Sequence, residues 1–388
     1  MVLFLHNSYR TTGGEERAVE DLLWLVREHL GEPAELLTRT SRTLGRGRAA
    51  LGLLGGGLNP EEVRRAVRLS RARVVHAHNL QPAFGWRALA AARAGGARVV
   101  LHLHQYRLVC AIGVCFTAGA ECTRCHGRNT LAGVRLNCRG SRPEAAVYGA
   151  SLALWQRRLA EQADAVIVPS VFARERLREL GAPLRWERVR VLAPPIPSLA
   201  AATPRPAPRS APGSYALVVS RLAPEKGIDV AIDACRTAAI ALVVAGEGPE
   251  DARLRERAGG GDVRFVGRVG DGELAALRAG AAIALVPSRS AETFGLAAAE
   301  AMAAGVPVAA SAVGALSELV EPQGLVPPGD PIALAQTISD LAGDRSAGER
   351  GRERVRALCA PGVVAGALAQ IYDRREADHG RDAGPPSA

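Results

Sequence analysis

The chain has almost no lysine. It carries 49 basic residues, and all of them except Lys226 are arginine. The arginine side chain ends in a planar, forked guanidinium group that stays charged, whereas the lysine ammonium is a compact, mobile point charge. A position that keeps lysine therefore indicates a need for the compact cation. Lys226 and Arg221 lie between a strand-like run, 215–219, and a helix-like run, 228–235. Such a junction suits a phosphate group, because a helix N-terminus adds free N–H groups and a positive dipole end; an ordinary surface lysine is the alternative.

Aromatic residues and long apolar runs are also scarce. At 4% aromatic content the chain has too few rings for a base-stacking platform, and no nucleic-acid motif is present, so we expect no nucleic-acid partner. The longest apolar stretch, 297–316, is interrupted by Glu300 and Pro307, which argues against a membrane span. The first five residues are apolar, too few for a signal-peptide core. We therefore expect a cytoplasmic protein.

The charge is unevenly divided between the two halves. Residues 1–195 carry 29 arginines against 16 acidic residues, a balance of +13, and residues 196–388 carry 20 basic against 23 acidic residues, a balance of −3. A basic half indicates an anionic partner, such as an acceptor with phosphate groups or the inner face of a membrane contacted peripherally. Solvated arginine-rich helices are the alternative.

Short apolar strands alternate with helical stretches along the whole chain. This alternation predicts an α/β fold of two Rossmann-like, doubly wound parallel sheets facing a central cleft. Seven prolines between 193 and 212 predict a stiff linker at 196–213. We expect a first domain at 1–195, a second at 214–358, and a C-terminal helix at 359–388 that returns to the first domain before a disordered tail. The predicted strands are 2–5, 34–37, 74–77, 98–103, 165–168, 189–192, 215–219, 240–245, 263–266, 283–286, 306–310 and 324–326.

Four segments that follow strands of the second half carry the candidate chemistry. Besides the Arg221–Lys226 loop they comprise the turn at Gly246, the segment ending at Arg268, and the run from Glu292 to Glu300. Residues 293–295 are expected to open a helix and present N–H groups to an anion. A carboxylate among small residues is costly to bury without a partner, and ribose hydroxyls would satisfy Glu300; a pairing with arginine is the alternative.

These motifs resemble those of the retaining glycosyltransferases of family 4, which have the two-domain GT-B fold. The resemblance runs through nearly the whole chain and is strongest from 215 to 330. It implies that Arg221 and Lys226 bind the diphosphate of a nucleotide-sugar donor, that Glu300 binds the ribose and that Glu292 lies at the donor sugar. The full set of expected donor-site residues is Gly14, Arg221, Lys226, Gly246, Arg268, Glu292, Phe294, Gly295, Leu296 and Glu300.

The implied reaction is transfer of a sugar to a hydroxyl acceptor, such as a lipid-linked saccharide or another glycoconjugate precursor. Negative charge develops on the leaving diphosphate, and fixed cations in a closed cleft stabilise it selectively in the transition state. No Asp-x-Asp pair occurs in the sequence, so we expect catalysis without a metal or other cofactor. The alternatives are a non-catalytic sugar-nucleotide-binding scaffold and a pyridoxal-phosphate enzyme using Lys226.

Two strand ends of the first half point to the same cleft. The Gly13–Gly14 pair follows the first strand and would let a phosphate approach the backbone, although such a pair is more often a simple turn. His104 ends another strand, and the resemblance implies a position near the reacting sugar and acceptor. His78, at the end of the strand 74–77, is the weaker candidate.

A cysteine-rich insert at 106–141 interrupts the first half and resembles a segment of some bacterial family 4 enzymes. It holds five of the seven cysteines, two of them in a C-x2-C pair. In a cytoplasmic protein this spacing favours a metal over disulfides, and reduced thiols packed in a lid are the alternative. The expected ligands of a structural zinc ion are Cys110, Cys122, Cys125 and Cys138.

Overall fold

A computed structural model describes the chain at residues 1–9, 13–200 and 215–373. In the first half, strands and helices alternate as the sequence predicts. The strands of this half are β1 (Val2–Ser8), β2 (Ala34–Thr40), β3 (Val74–Ala77), β4 (Arg98–His102), β5 (Phe116–Thr117), β6 (Ala120–Glu121), β7 (Ala165–Val168) and β8 (Val189–Val191). The helices are α1 (Gly14–Glu28), α2 (Arg46–Leu54), α3 (Pro60–Ser70), α4 (Gly85–Ala94), α5 (Leu131–Arg135), α6 (Arg142–Glu161) and α7 (Val171–Glu179).

The second half repeats the alternation. Its strands are β9 (Tyr215–Val219), β10 (Ala241–Ala245), β11 (Val263–Gly267), β12 (Ala281–Val286), β13 (Val308–Ser311) and β14 (Leu325–Val326). Its helices are α8 (Ile228–Thr237), α9 (Asp251–Ala258), α10 (Asp271–Gly280), α11 (Leu296–Ala303), α12 (Leu316–Leu319), α13 (Pro331–Leu341), α14 (Arg345–Cys359) and α15 (Pro361–Asp373).

Each half builds one parallel sheet of six strands. The order is β2-β1-β3-β4-β7-β8 in the first sheet and β11-β10-β9-β12-β13-β14 in the second. Helices cover both faces, which is why the central strands are apolar throughout rather than alternating. In such sheets ligands bind at the carboxyl ends of the strands where the strand order reverses. Those points lie between β1 and β3 in the first domain and between β9 and β12 in the second, so the predicted doubly wound fold is confirmed and its two crevices are located.

The chain returns to the first domain at its C-terminal end. Helix α14 packs on the second domain through Val355 and Cys359, whereas α15 buries Leu368 and Tyr372 in the first-domain core beside Val2 and other strand residues. The stretch Arg345–Asp373 is long and apolar enough to cross a membrane, but 44% of its most apolar part is buried inside the protein. It is also divided at Ala360 into two helices that serve different domains.

Two sequence expectations differ from the structure or lie outside it. The sequence predicts that the second strand ends at residue 37 and indicates no helix in the glycine- and arginine-rich stretch 39–58, but β2 extends to Thr40 and α2 forms from Arg46 to Leu54. The helical periodicity of α2 is hard to recognise in the sequence because its large apolar residues lie only near its C-terminal end. Most of the predicted linker, from residue 201, and the predicted tail beyond 373 lie outside the described residues; before them, Ile196 and Leu199 are buried in the second-domain core.

Candidate active site

Direct hydrogen bonds join the two domains at the carboxyl edges of their sheets. The Thr293 hydroxyl donates to the backbone carbonyl of His104 over 2.8 Å. The Ser170 hydroxyl donates to the Thr293 carbonyl over 2.7 Å and accepts from the Ala173 N–H, so Ser170 also caps α7, as its sequence position predicts. The segment that follows β12 is therefore in contact with the segment that follows β4, and the cleft residues of both halves come together.

Lys226 and Glu292 form the centre of the second-domain side of the cleft. Lys226 Nζ lies 2.6 Å from Glu292 Oε1, and the Ser288 hydroxyl donates to the same oxygen over 2.6 Å. Burial raises the pKa of Glu292, but the charge and hydrogen bond of Lys226, the Ser288 hydroxyl and the charge of Arg221 outweigh it, and the net pKa is lowered. Glu292 is thus held as a carboxylate. Because Lys226 is ion-paired with it, this arrangement does not favour a Schiff-base role for the lysine.

Arg221 lies in the neighbouring loop and is ion-paired with Glu225. Its side chain is 49% exposed, which leaves the guanidinium accessible to an anion in the cleft. The turn after β10 packs directly under this loop: Gly246 has φ 142°, and a Cβ there would lie 1.8 Å from the Ser220 carbonyl oxygen. Gly246 is therefore required by backbone packing that positions Arg221, and its close approach to the donor stays a prediction.

The start of α11 faces the start of α1 across the cleft. Helix α11 begins at Leu296, directly after residues 293–295, which were expected to open it, and Gly295 caps it in the left-handed region at φ 91°. The Phe294 side chain is buried in the second-domain core, so only its backbone is available to a ligand. A Cβ at Gly14 would lie 4.0 Å from Leu296 Cδ2, which places the glycine pair of the first domain against this helix start.

Glu300 is bridged by two arginines that sequence reasoning missed. Arg17 of α1 lies 2.9 Å from Glu300 Oε1 and 2.6 Å from Asp271 Oδ1, and Arg278 of α10 pairs with Glu300 Oε2. The carboxylate is only 11% exposed, so the pairing supplies the partner that its burial requires. The pairing of Glu300 with arginine, which the sequence analysis gives as the alternative to ribose binding, is therefore present. One of the two arginines comes from the other domain.

Arg268 is not brought into this cluster. It is exposed after β11, the edge strand that lies two positions from β9 in the sheet. The other predicted residues of the second domain follow β9, β10 or β12, next to the point where the strand order reverses.

A column of buried histidines leads from the first-domain core to the cleft. His104 Nε2 and His78 Nδ1 are 2.8 Å apart. His78, the weaker candidate from the sequence, is therefore hydrogen-bonded to His104, the stronger candidate. Deeper in the column, His76 Nε2 lies 3.2 Å from His102 Nδ1, and its Nδ1 lies 2.7 Å from the Tyr372 hydroxyl of α15. Burial, aided by the neighbouring imidazoles, lowers the pKa of His76 to about 3 and also lowers the pKa of His78 and His102.

This column does not have the arrangement of a metal centre. Among the described residues, one group of three ligand atoms lies within 4.8 Å, from His76, His78 and His102. However, both ring nitrogens of His76 are already hydrogen-bonded, and the rings of His76 and His102 are stacked at an interplanar angle of 7°. A metal ion needs in-plane lone pairs that converge on one point, so binding would require these contacts to be broken.

A large cavity opens beside His104 in the first domain. It encloses about 720 Å³ of space when the open mouth and its solvent are included. Tyr9, Glu15, Gln105 and Arg107 line it near the cleft, where Glu15 accepts hydrogen bonds from Tyr9 and Gln105 over 2.7 and 3.0 Å. Its far wall is apolar and is formed by Leu53, Leu80, Trp86, Leu152, Trp155 and Leu159. The five cysteines of the insert line a separate, smaller cavity.

Two family models match the two domains. Residues 3–195 match a model described as "Glycosyl transferase 4-like domain", and residues 213–344 match one described as "Glycosyl transferases group 1". Together the matches span both sheets and all the cleft residues described above.

Characterised mycobacterial proteins are similar over part of the chain. A phosphatidyl-myo-inositol mannosyltransferase of Mycobacterium leprae is 35% identical over 164 residues, which are 39% of this chain and 43% of the relative. A GDP-mannose-dependent alpha-(1-6)-phosphatidylinositol dimannoside mannosyltransferase of Mycobacterium tuberculosis is 39% identical over 141 residues, which are 34% of this chain and 36% of the relative. The chain thus matches less than half the length of either relative.

Solved structures share the whole fold. Sucrose-phosphate synthase from Thermosynechococcus elongatus has a TM-score of 0.67 at 22% identity, covering 96% of this chain and 98% of that one. The Anabaena protein HepE, in complex with UDP and glucose, has a TM-score of 0.63 at 20% identity, covering 95% and 98%. The chain therefore has the fold of known two-domain proteins.

Proposed function

Because this chain belongs to the glycosyltransferases of the group 1 and 4-like family, with the GT-B fold, we propose that it moves a hexosyl group from a nucleotide-diphosphate sugar to a hydroxyl of a lipid-linked or glycan acceptor, with retention of configuration. The observation that carries the proposal is the meeting of Lys226, Glu292 and Arg221 with His104 in one cleft, through the 2.8 Å bond from Thr293 to the His104 carbonyl. Retention rests on the family 4 resemblance alone.

The donor's charged part fits the second-domain side of the cleft. Arg221 and Lys226 are cations at the strand ends where the sheet order reverses, and the start of α11 adds backbone N–H groups next to them. The Lys226 ammonium is hydrogen-bonded to Glu292, and a diphosphate would add a second anionic partner. These groups are fixed before the reaction begins, so they stabilise the charge that develops on the leaving diphosphate without reorganisation.

Glu292 and His104 remain for the sugar. Glu292 is kept ionised and accepts hydrogen bonds well, which suits the hydroxyls of the transferred sugar. His104 reaches the cleft from the first domain, where the acceptor hydroxyl must lie, and its pKa is lowered by burial despite the opposing charges of Glu15 and Glu16. A neutral imidazole held by His78 can accept a hydrogen bond from the acceptor hydroxyl.

The cavity beside His104 supports an acceptor with an apolar portion. Its polar mouth, with Glu15 and Arg107, faces the cleft, and its far wall is leucine and tryptophan. A sugar hydroxyl at the mouth and an acyl or isoprenoid chain along the wall would match both surfaces. The two mycobacterial relatives are named for phosphatidylinositol-based acceptors, which agrees with this part of the proposal.

The rim of the same cavity suits contact with an anionic membrane. Leu51 and Leu54 of α2 and Leu154 of α6 are 68%, 42% and 48% exposed. They lie among exposed arginines, which are Arg42, Arg46, Arg48, Arg157 and Arg158, and the Trp155 indole donates to the Leu54 carbonyl over 3.0 Å and so ties the two helices together. Exposed leucines within a basic surface are the composition of an interfacial membrane contact.

The membrane part is tested by flotation with vesicles. The protein is expected to float with phosphatidylglycerol vesicles and not with phosphatidylcholine vesicles, and Leu51→Glu with Leu54→Glu should abolish binding. Leu69→Glu is the matched control, since Leu69 is 79% exposed on α3 away from the cavity. Equal flotation of the control and the double variant would refute the assignment of this surface.

The transfer reaction is tested first by donor binding. Thermal unfolding is measured with UDP-, GDP-, dTDP- and ADP-sugars in the presence of a chelator, because a ligand that binds only the folded state raises its melting temperature. The stabilising donor is then supplied with phosphatidylinositol- and polyprenyl-linked acceptors, and products are identified by mass spectrometry and by the anomeric NMR coupling. Stabilisation without transfer or hydrolysis would favour the scaffold alternative, and an inverted product would refute retention.

A further inference from the structure

Five thiols of the insert converge on one small cavity. They arrive from three separate pieces of chain: the segment after β4, the β5–β6 hairpin with its exit, and the end of α5. Three of them are buried and two, Cys122 and Cys138, are partly exposed, so the cluster is more than filling of an apolar core. The cavity is lined by Cys110, Cys115, Cys122, Cys125 and Cys138, together with a few apolar residues.

Local backbone structure explains the convergence. The β5–β6 hairpin pairs Phe116 with Glu121, and the Cys122 N–H donates to the Cys115 carbonyl over 2.7 Å, which places these two cysteines opposite each other. Helix α5 ends where the Cys138 N–H donates to the Gly133 carbonyl over 3.0 Å, and a Cβ at Gly133 would lie 3.9 Å from Cys125 Sγ. The fold thus brings Cys138 back to the C-x2-C pair.

The insert begins in the first-domain core, where Tyr106, Leu108 and Val109 are buried, but the part that carries the later cysteines has little regular structure. Its regular structure within 106–141 is two strands of two residues each and one helix of five residues, and elements of this length are marginal without a covalent or metal cross-link. The two remaining cysteines, Cys235 and Cys359, are isolated in the second-domain cores. All seven are free thiols, so no disulfide takes the place of such a cross-link.

We propose that this cysteine cavity binds one zinc ion through Cys110, Cys122, Cys125 and Cys138, with the Cys115 thiol donating a hydrogen bond to the Cys110 sulfur. Cys115 lines the same cavity and is assigned a place beside the metal rather than on it, since the other four cysteines are those expected as ligands from the sequence. Zinc–sulfur bonds of about 2.3 Å place the four sulfurs about 3.8 Å apart. No three of the described thiols are within 4.8 Å of one another, so the ion would draw them together.

The metal would also fix one wall of the acceptor cavity. Tyr106 and Arg107 begin the insert: the Tyr106 N–H donates to the Gly113 carbonyl over 3.0 Å, inside the loop between Cys110 and Cys115. Arg107 lines the cavity beside His104, with its guanidinium 4.8 Å from the centre of the Tyr9 ring. Zinc would therefore act on acceptor binding through the insert and have no part in the donor site.

The test is the metal content of the full chain, purified under reducing conditions without a histidine tag after growth with zinc. We expect one zinc ion per chain by mass spectrometry of the digested protein. Cys125→Ser and Cys138→Ser should lose it, whereas Cys115→Ser and the control Cys235→Ala should retain it. Donor-induced thermal stabilisation is measured on every variant, since it reports the second domain and is expected to persist without zinc.

A second measurement on the wild type does not depend on the variants' folding. Reconstitution with Co²⁺ should give the near-ultraviolet sulfur-to-cobalt absorption and the visible bands of a tetrahedral tetrathiolate. Absence of bound metal after reconstitution, or an octahedral cobalt spectrum, would overturn the proposal. Loss of zinc from Cys115→Ser as complete as from Cys125→Ser would overturn the ligand set.

Discussion

The buried histidine column should make the first domain unstable in mild acid, and His76 allows this to be measured. His76 is fully buried, and burial lowers its pKa to about 3, against about 6.5 in an unfolded chain. Between these values the unfolded state binds a proton that the folded state does not. The free energy of unfolding therefore falls as the pH drops below about 6.5.

The size of the effect follows from the pKa difference. Each pH unit in this window costs about 1.4 kcal/mol per histidine that stays neutral in the fold. For His76 the loss is about 2 kcal/mol at pH 5 and about 4 kcal/mol at pH 3. His78 and His102, whose pKa is lowered by the same burial, add losses of the same sign. Domains are commonly stable by only about 5–15 kcal/mol, so three such residues are enough to bring acid unfolding well above the pH at which carboxylates protonate.

The assay compares wild type with His76→Gln by urea unfolding at pH 7, 6 and 5. All four tryptophans, at 24, 86, 155 and 186, belong to the first domain, so their fluorescence follows the domain that holds the column. Glutamine removes the proton site, and we expect the stability gap between the two proteins to narrow by about 2 kcal/mol from pH 7 to pH 5. The exposed His29→Gln is the matched control and should show no such change. A constant gap for His76→Gln across this range would refute the reasoning.

Two further predictions concern the cleft. Lys226→Ala should lower the rate of transfer by at least about 100-fold, as expected when a hydrogen-bond donor to the developing charge is lost, while the circular dichroism spectrum stays unchanged. Lys226→Arg should also be strongly impaired in a steady-state assay, because the forked guanidinium group does not fit a site for a compact cation. Normal turnover by either variant would exclude Lys226 from the donor site. Burial raises the pKa of Asp21 to about 7, so the free energy of unfolding falls as the pH rises from 4 to 7. In urea titrations Asp21→Asn should stabilise the protein at pH 8 by up to about 4 kcal/mol and leave its stability unchanged at pH 4. The control Glu20→Gln, at an exposed position, should show neither effect.

The sequence predicts the fold almost completely, because buried parallel strands leave continuous apolar runs between helical periods. Every predicted strand has its counterpart, and the turn residues that follow β9, β10 and β12 identify the cleft. The sequence does not predict contacts that depend only on how the elements pack together. Nothing in the spacing of Arg17 or Arg278 points to Glu300, since the contacts join α1 and α10 to α11 across the fold. The acceptor cavity is missed for the same reason: its wall comes from α2, α4 and α6, which look like ordinary amphipathic helices.

The pairing of Glu300 leads to a prediction about how donor binding and domain contact are coupled. Both carboxylate oxygens of Glu300 are ion-paired, one with Arg17 and one with Arg278. If Glu300 receives ribose hydroxyls, at least one of these ion pairs must open, and the contact of Arg17 is the weaker because its side chain is 35% exposed. Exposed pairs contribute about 0.2–1 kcal/mol.

Arg17→Ala should therefore strengthen donor binding by a few fold at most, as measured by isothermal titration calorimetry, and make it less dependent on salt. Asp271→Asn is the control, since it removes only the outer partner of Arg17, which is 81% exposed, and it should leave the affinity within error of wild type. A markedly weaker affinity of Arg17→Ala would contradict the competition and show that Arg17 contacts the donor itself. The first domain would then supply a cation to the donor phosphates, and its basic charge would have a role beyond the acceptor.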